Sequence, residues 1–276
     1  MDATKILACL TLAASSASYV QASDDFTFTP SLSIANFEYT SGGNKNDGQL
    51  ALLGLEFETE DKFGNWHRFN VERSIYDDSS YTGDLWQTNG VSRSSDDTKT
   101  EFEYRIGRYL YPAGDSDDLE MWTGIGYQTH EYDVKGSAGY ESIRKRIYIP
   151  AGIEYGTPAD SSGAWVNGKF RHENFLFYGA QFNWLVSGTH TKKLGDAASG
   201  LPTVHLDQDG GYGYSVWFGW DMVLNSGNVF QTKLTYEAWE IDKSEQDEFT
   251  NGGTLYQVSE ASSSESSWTL TFGYRM

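Results

Sequence analysis

The chain has 276 residues and a formal net charge of −19 at pH 7, from 20 basic and 39 acidic side chains. So large an acid excess repels phosphate backbones, which argues against nucleic-acid binding. The single cysteine, Cys9, lies in an export-type leader. The mature chain is therefore predicted to have no disulfide, no thiolate catalysis and no cysteine metal site.

The first 22 residues have the pattern of a secretory signal peptide. Lys5 supplies a short basic start, 6–14 is an apolar stretch too short to cross a bilayer, and 20–22 fits a cleavage site. We predict a signal peptide at 1–22, cleaved near Ala22, and a single mature domain at 23–276. The mature sequence has no run of ~18 apolar residues, the length that a membrane helix needs.

The mature chain alternates between polar and apolar residues in ten segments, and almost no segment has the 3.6-residue period of a helix. These segments predict strands at about 26–40, 48–60, 64–76, 98–112, 118–134, 139–156, 174–191, 211–224, 228–243 and 264–276. Most are long enough for a tilted membrane strand, which needs roughly 9–11 residues. Strands of soluble proteins average about 5–6 residues, so the lengths favour a membrane barrel.

The linkers alternate between two kinds. Short turns are predicted at 64–65, 112–116 and 225–228, and longer acidic loops at 77–97, 192–210 and 244–263. Bacterial barrels place short turns in the periplasm and long loops outside the cell. The segment 157–173 is long where a short turn is expected, so twelve strands remain an alternative to ten. An even number of strands places both termini in the periplasm.

The end of the chain alternates up to its last residue. Its apolar or aromatic positions are Trp268, Leu270, Phe272, Tyr274 and Met276. A soluble antiparallel strand with one buried face has the same alternation, but a strand that ends in this way is typical of the closing strand of a membrane barrel. We predict an all-β, transmembrane, antiparallel up-and-down barrel of about ten strands. It is expected to be a monomer in the bacterial outer membrane, inserted by barrel-assembly machinery that binds this last strand.

The opposite face of the predicted strands carries charges of both signs. In a narrow tube these charges must pair, because an isolated buried charge is costly. About eight strands give an interior filled by side chains, so ten strands predict a plugged or nearly plugged lumen. The predicted inward-facing network consists of Glu56, Glu58, Arg68, Glu72, Glu101, Glu103, Arg105, Arg144, Arg146, Glu154, Lys233, Glu237 and Arg275. A second interpretation makes Arg144 and Arg146 a constriction that selects small anions.

Three histidines have acidic residues that could support catalysis, since water activation needs a base held by a carboxylate. The candidate groups are His130 with Glu131 and Asp133, His190 with Asp84, and His205 with Asp207. Histidines among acidic loop residues are more often solvated, so no catalytic residue is assigned. A nucleophilic serine is not indicated either, because the sequence has no Gly-x-Ser-x-Gly elbow.

Acidic clusters at 77–78, 96–97 and 207–209 could offer oxygen ligands to Ca²⁺. None has the spacing of a calcium loop, so a solvated acidic rim is the favoured interpretation, and no metal or cofactor is predicted. Lys192 and Lys193 follow a predicted membrane strand. They could contact the phosphates of lipopolysaccharide, which together with outer-membrane lipid is an expected partner.

Several segments together resemble the omptin-type, ten-stranded outer-membrane barrels. They are Phe26-Thr-Phe28-Thr-Pro30, Gly124-Ile-Gly126-Tyr127-Gln128, the strand Arg144 to Tyr155 and the hairpin Trp217 to Trp239. The resemblance implies an outer-membrane endopeptidase with an Asp pair and an Asp–His pair at the outer rim, activated by bound lipopolysaccharide. Where that family has Asp-x-His, this chain has Gly188-Thr189-His190, so the required Asp is missing.

These observations predict an integral outer-membrane protein of a Gram-negative bacterium. We expect a non-catalytic surface role, structural or in interactions, with at most narrow passage of small solutes. An omptin-like endopeptidase and a narrow porin remain the alternatives.

Overall fold

The computed structural model describes residues 26–83, 91–111, 118–136, 140–159, 163–166, 169–193, 202–224, 226–251 and 253–276. The predicted signal peptide lies outside these residues. The described residues form strands and their connections. Within that part of the chain, no helix has the length and apolar character needed to cross a bilayer.

The strands of the described residues are β1 Phe26–Ser41, β2 Asn44–Glu60, β3 Asn65–Gly83, β4 Val91–Tyr111, β5 Asp118–Val134, β6 Glu141–Pro158, β7 Gly163–Val166, β8 Lys169–His172, β9 Asn174–Lys193, β10 Thr203–Gln208, β11 Gly211–Val223, β12 Val229–Ile241, β13 Asp247–Asn251, β14 Thr254–Val258 and β15 Ser263–Arg275. Ten of them form a closed antiparallel barrel, in the order β1-β2-β3-β4-β5-β6-β9-β11-β12-β15 and back to β1. The predicted fold class is confirmed, with ten barrel strands rather than twelve.

The barrel closes where the two ends of the described chain meet. The amide of Met276 donates to the carbonyl of Phe28 at 3.0 Å, and the amide of Phe28 donates to the carbonyl of Met276 at 3.2 Å. From there β15 runs antiparallel to β1 up to Ser263 beside Ser41. We call the end of the barrel near Phe28 and Met276 the proximal end, and the opposite end the distal end.

Several predicted strands are too short at their distal ends. Strand β3 continues to Gly83 and β4 begins at Val91, so most of the predicted loop 77–97 is a paired hairpin. Strand β10 pairs with the distal part of β9 and leads after two residues into β11, which pairs with the proximal part of β9. The segment 244–263 contains the hairpin β13–β14, and 157–173 contains the small hairpin β7–β8. Antiparallel pairing continues beyond the apolar part of the barrel because backbone N–H and C=O groups, rather than side chains, form the ladder.

A band of exposed apolar side chains surrounds the proximal and middle part of the barrel. Trp184 and Trp268 are 69% and 53% exposed, which suits contact with lipid rather than water. On each strand, the exposed large apolar residues reach distally as far as Ile34, Leu55, Tyr76, Phe102, Ile125, Ile147, Val186, Tyr212, Leu234 and Trp268. The strand parts from this level to the proximal turns are the membrane-spanning segments; the distal strand parts lie outside them.

Glycines on the inner wall make room for aromatic rings of neighbouring strands. A Cβ added to Gly152 would lie 2.3 Å from Trp122 Cζ2, and one added to Gly107 would lie 2.2 Å from Trp66 Cζ2. Such pairs are Trp66 with Gly107, Tyr148 with Gly126, Trp122 with Gly152, Phe175 with Gly156, Trp217 with Gly179, Trp239 with Gly213 and Phe177 with Gly219. Each ring occupies the space that a side chain would fill at its glycine, and the proximal lumen keeps an open cavity.

Candidate functional site in the barrel lumen

The predicted charge network divides between a cavity and the core of the lumen. Three of its members, Glu103, Arg144 and Arg146, are buried, with exposures of 1%, 3% and 3%. The others line a cavity of about 820 Å³: Glu56, Glu58, Arg68, Glu72, Glu101, Arg105, Glu154, Lys233, Glu237 and Arg275. This cavity extends from Tyr109 and Arg275 to His130 and Glu265.

Ion pairs near the proximal end join strands that are one or two places apart in the sheet. Arg68 on β3 donates from Nε to Glu58 on β2 at 2.7 Å and from Nη1 to Glu120 on β5 at 3.3 Å. Its guanidinium also lies over the ring of Trp66, 4.3 Å from the centroid. Arg275 on β15 pairs with Asp221 on β11 at 2.8 Å. These contacts follow the wall and leave the centre of the lumen free.

Counting from the proximal end, the first contact between opposite walls of the lumen is made by Lys99. Strands β4 and β12 are on opposite sides of the barrel, five strands apart in either direction. Lys99 Nζ on β4 reaches Glu237 on β12 at 3.4 Å. Beside it, the Tyr148 hydroxyl lies 2.9 Å from a carboxylate oxygen of Glu101 and 2.9 Å from one of Glu103. The lumen therefore begins to close here.

A second set of contacts crosses the lumen above this level. Arg144 on β6 lies 3.6 Å from the ring centroid of Tyr39 on β1, the strand opposite β6. Its Nη1 is 3.3 Å from Glu265 on β15, and Arg146 binds the same carboxylate. With Asp97 and His130, these residues form what we call the plug: Tyr39, Asp97, His130, Arg144, Arg146 and Glu265, none more than 6% exposed.

His130 is held in a defined protonation state within the plug. Arg144 Nη2 donates to His130 Nδ1 at 3.0 Å, and His130 Nε2 lies 2.9 Å from Asp97 Oδ2. Because the guanidinium can only donate, Nδ1 must accept, and the ring proton sits on Nε2. Burial and the neighbouring Arg144 lower the pKa of His130. Burial alone would raise the pKa of Asp97, but the hydrogen bond and charge of His130 lower it.

A second layer, which we call the cap, covers the plug on the distal side. It consists of Tyr81, Tyr132, Tyr140, Ser142, His190, Lys192 and Glu260. Ser142 Oγ lies 2.5 Å from His190 Nε2, and His190 Nδ1 lies 3.6 Å from Glu260 Oε2. Glu260 also binds Lys192 and accepts from the Tyr39 hydroxyl at 3.2 Å, so the two layers are connected. Burial and Lys192 lower the pKa of His190 well below its ordinary value.

The structure changes the predicted partners of the distal histidines. Glu131 and Asp133 are exposed on the other face of β5, since they are one and three residues from His130, and Asp97 takes their place. Asp84, the predicted partner of His190, lies outside the described residues. His205 is exposed and lies 3.1 Å from Thr191.

Lys192 likewise faces Glu260 inside the barrel rather than lipid phosphate. Lys193 is 56% exposed and lies 3.3 Å from Glu141.

These contacts supply cross-links rather than a reactive group. A general base needs a free lone pair within reach of a substrate. The Nδ1 lone pair of His130 is taken by Arg144, and His130 and His190 are only 2% and 0% exposed. Across the residues that the structure describes, no three or more His, Cys, Asp or Glu side chains are placed to hold a metal ion.

Sequence reasoning missed several members of the plug and cap, including Tyr39, Glu260 and Glu265. Glu265 lies three residues before Trp268 in a serine-rich segment. Since Trp268 and Leu270 point outward, the alternation of β15 assigns Glu265 to the lumen, and this signal was present in the sequence. Glu260 precedes β15 and belongs to no strand, so no periodicity could have identified it.

Comparison with solved structures supports the architecture. The outer membrane protease OmpT from Escherichia coli superimposes with a TM-score of 0.63 and 11% identity, over 91% of this chain and 96% of that chain. The translocator domain of the autotransporter NalP from Neisseria meningitidis gives a TM-score of 0.44 at 11% identity, over 99% and 96% of the two chains. No family model matches the sequence. No curated protein matches it either. The resemblance to omptin-type barrels is thus confirmed for the fold.

Proposed function

We propose that this chain is an integral outer-membrane barrel of a Gram-negative bacterium that is sealed at neutral pH and acts non-catalytically at the cell surface. Its proximal end faces the periplasm, and its distal hairpins form an acidic external surface for structural or interaction roles. The barrel-assembly machinery inserts it through the closing strand β15, and lipid surrounds its apolar band. The described side chains of the lumen support the seal directly.

The observation that carries the proposal is the contact of Arg144 with residues on the far side of the barrel. Arg144 spans from β6 to Tyr39 on β1, and Glu265 on β15 holds both Arg144 and Arg146. All of these side chains are buried. Charged groups that are paired inside a low-dielectric interior are costly to separate. The plug is therefore a stable barrier to water and ions.

Planar-bilayer recordings of the refolded protein test this seal. We expect the native protein to show almost no ion current at neutral pH. The triple variant Arg144→Ser, Arg146→Ser, Glu265→Ser removes two cations and one anion together and replaces long side chains by short ones. It should conduct in discrete steps, because the cross-lumen contacts are gone.

The matched control is the double variant Lys193→Ser, Glu141→Ser, which removes an exposed ion pair of the distal rim. It should stay as silent as the native protein. Slower migration of heated than of unheated samples in gel electrophoresis shows that each variant has folded. Steady conductance of the native protein at neutral pH would refute the seal and favour the narrow porin.

An omptin-like endopeptidase is the rival function, and the shared fold is the observation that favours it. The buried histidines His130 and His190 oppose it, since neither has an accessible basic nitrogen. His205 is exposed, and its ring contacts Thr191. Incubation of refolded protein and lipopolysaccharide with a fluorogenic peptide that contains basic residues distinguishes the two. We expect no cleavage above that of the His130→Gln variant. Cleavage by the native protein that this substitution abolishes would establish the protease.

A further inference from the structure

We propose that His130 and His190 make the seal acid-sensitive, so that protonation of these two buried rings opens the barrel to ions. This inference rests on the proposed function, because only a barrel that is closed at neutral pH can be opened by acid. It assigns to the plug and cap a gating role in addition to their role as a barrier.

The surroundings of His130 leave no room for a second ring proton. Its Nδ1 atom accepts a hydrogen bond from Arg144 Nη2 at 3.0 Å, and its Nε2 proton points to Asp97 at 2.9 Å. A second proton can only be added to Nδ1. The added N–H would then face the guanidinium N–H groups directly, donor against donor and cation against cation. Arg144, the residue that crosses the lumen, has to move away.

The charges of the two layers balance when both histidines are neutral. In the plug, Asp97 and Glu265 balance Arg144 and Arg146, and in the cap Glu260 balances Lys192. With both histidines neutral, the plug and cap together carry no net charge. Protonation of both rings adds two positive charges to groups that are almost completely buried. Like charges in such surroundings repel strongly because little water screens them.

The charged and titratable neighbours come from several strands. His130 faces Asp97 on β4, Arg144 on β6, Glu265 on β15 and Tyr132 on its own strand. His190 faces Tyr132 on β5, Arg144 and Arg146 on β6, Lys192 on its own strand, and Glu260. At least one of the groups near each ring is a cation, and Asp97 already accepts the Nε2 proton of His130. Glu265, the other carboxylate near His130, is already bound to Arg144 and Arg146.

The experiment compares bilayer currents at about pH 7.5 and about pH 5, the interval in which histidine charge ordinarily changes. The native protein should be silent at the higher pH and conduct at the lower pH. For each proton taken up, the ratio of open to closed channels should rise by up to about tenfold when the pH falls by one unit. The current should disappear when neutral pH is restored.

Substitutions identify the groups responsible. The double variant His130→Gln, His190→Gln keeps amide donors and acceptors at both positions but cannot take up these protons, so it should remain silent at both pH values. His205→Gln is the matched control, since His205 is exposed and bonded to Thr191 outside both layers. It should keep the full acid response.

The possible failures are distinguishable. A native protein that conducts at about pH 7.5 contradicts the proposed seal itself. One that stays silent at about pH 5 contradicts the acid gate and leaves the seal in place. An acid-induced current that persists in the double glutamine variant, or that does not reverse on neutralisation, also overturns the gate.

Discussion

Glu265 is the shared anion of two buried cations in the plug. Its side chain is about one-twentieth exposed and binds two guanidinium groups, those of Arg144 and Arg146. We expect Glu265→Gln to lower the free energy of unfolding by about 3–5 kcal/mol, because two buried cations lose their common anion. Urea titration of the refolded protein in lipid vesicles measures this change.

Glu141→Gln is the matched substitution, since Glu141 pairs with Lys193 on the exposed rim. Glu141→Gln should lower the free energy of unfolding by less than about 1 kcal/mol, as for other exposed ion pairs. Equal costs for the two variants would mean that the plug contributes no more than a surface contact.

The glycine–aromatic pairs give a second prediction at the scale of single residues. Gly152→Ala places a methyl group where the ring of Trp122 lies, and overpacking of this kind costs about 1–3 kcal/mol. Trp122→Ala in the same chain should remove most of that added cost, because it removes the group that clashes. A double-mutant cycle measured by urea unfolding gives the coupling. Simple additivity of the two substitutions would show that the ring does not occupy the space above Gly152.

At the scale of elements, the hairpin β13–β14 is separable from the barrel. Its two strands form a sheet of their own, and its base is fixed by contacts between Ser244 and Glu260 at 2.7 and 3.0 Å. Replacing 247–258 by a short Gly-Ser turn should therefore change the free energy of unfolding by less than about 0.5 kcal/mol. The measurement is again urea unfolding in vesicles.

Glu260→Gln tests the base of the same hairpin and should behave differently. Glu260 binds Lys192 and accepts from Tyr39 and Ser41, so its neutralisation weakens the cap. Glu260→Gln should clearly lower the free energy of unfolding, whereas the replacement of 247–258 should hardly change it. The reverse order would show that the hairpin, rather than its base, supports the barrel.

The sequence predicts these elements unevenly. Alternation alone placed the ten barrel strands and the inward face that carries Arg144 and Glu237, because a strand buries or exposes every second side chain. Alternation did not predict the distal ends of the strands, because polar residues occupy both faces there and the two faces cannot be told apart. Proximity in the sequence suggested Glu131 as the partner of His130. Adjacent residues of a strand point to opposite faces, so the partner is Asp97 on the neighbouring strand. Contacts such as Arg146 with Glu265 join residues 119 positions apart, and no local pattern reveals them.

At the scale of the whole molecule, the two buried histidines predict how stability depends on pH. Burial with Arg144 lowers the pKa of His130, and burial with Lys192 lowers that of His190. The unfolded chain takes up these protons near pH ~6.5, whereas the sealed barrel takes them up only at lower pH, as it opens. Stability should be full above that pH and fall as the pH decreases, by about 1.4 kcal/mol per pH unit for each histidine. Urea midpoints at about pH 7.5 and about pH 5 check this.

His205→Gln should leave the two midpoints as they are in the native protein, and the double variant His130→Gln, His190→Gln should bring them closer together. Midpoints that do not differ in the native protein would contradict the neutral, buried state of both rings.

The pairing of Phe28 with Met276 has a consequence for biogenesis. Every backbone group of β1 that faces β15 stays without its partner until the ribosome has added residues 263–276. Until then, β1 carries an unmatched edge, which invites pairing with other chains. A polypeptide that stops short of β15 should be degraded or aggregate rather than accumulate as a slightly smaller cylinder.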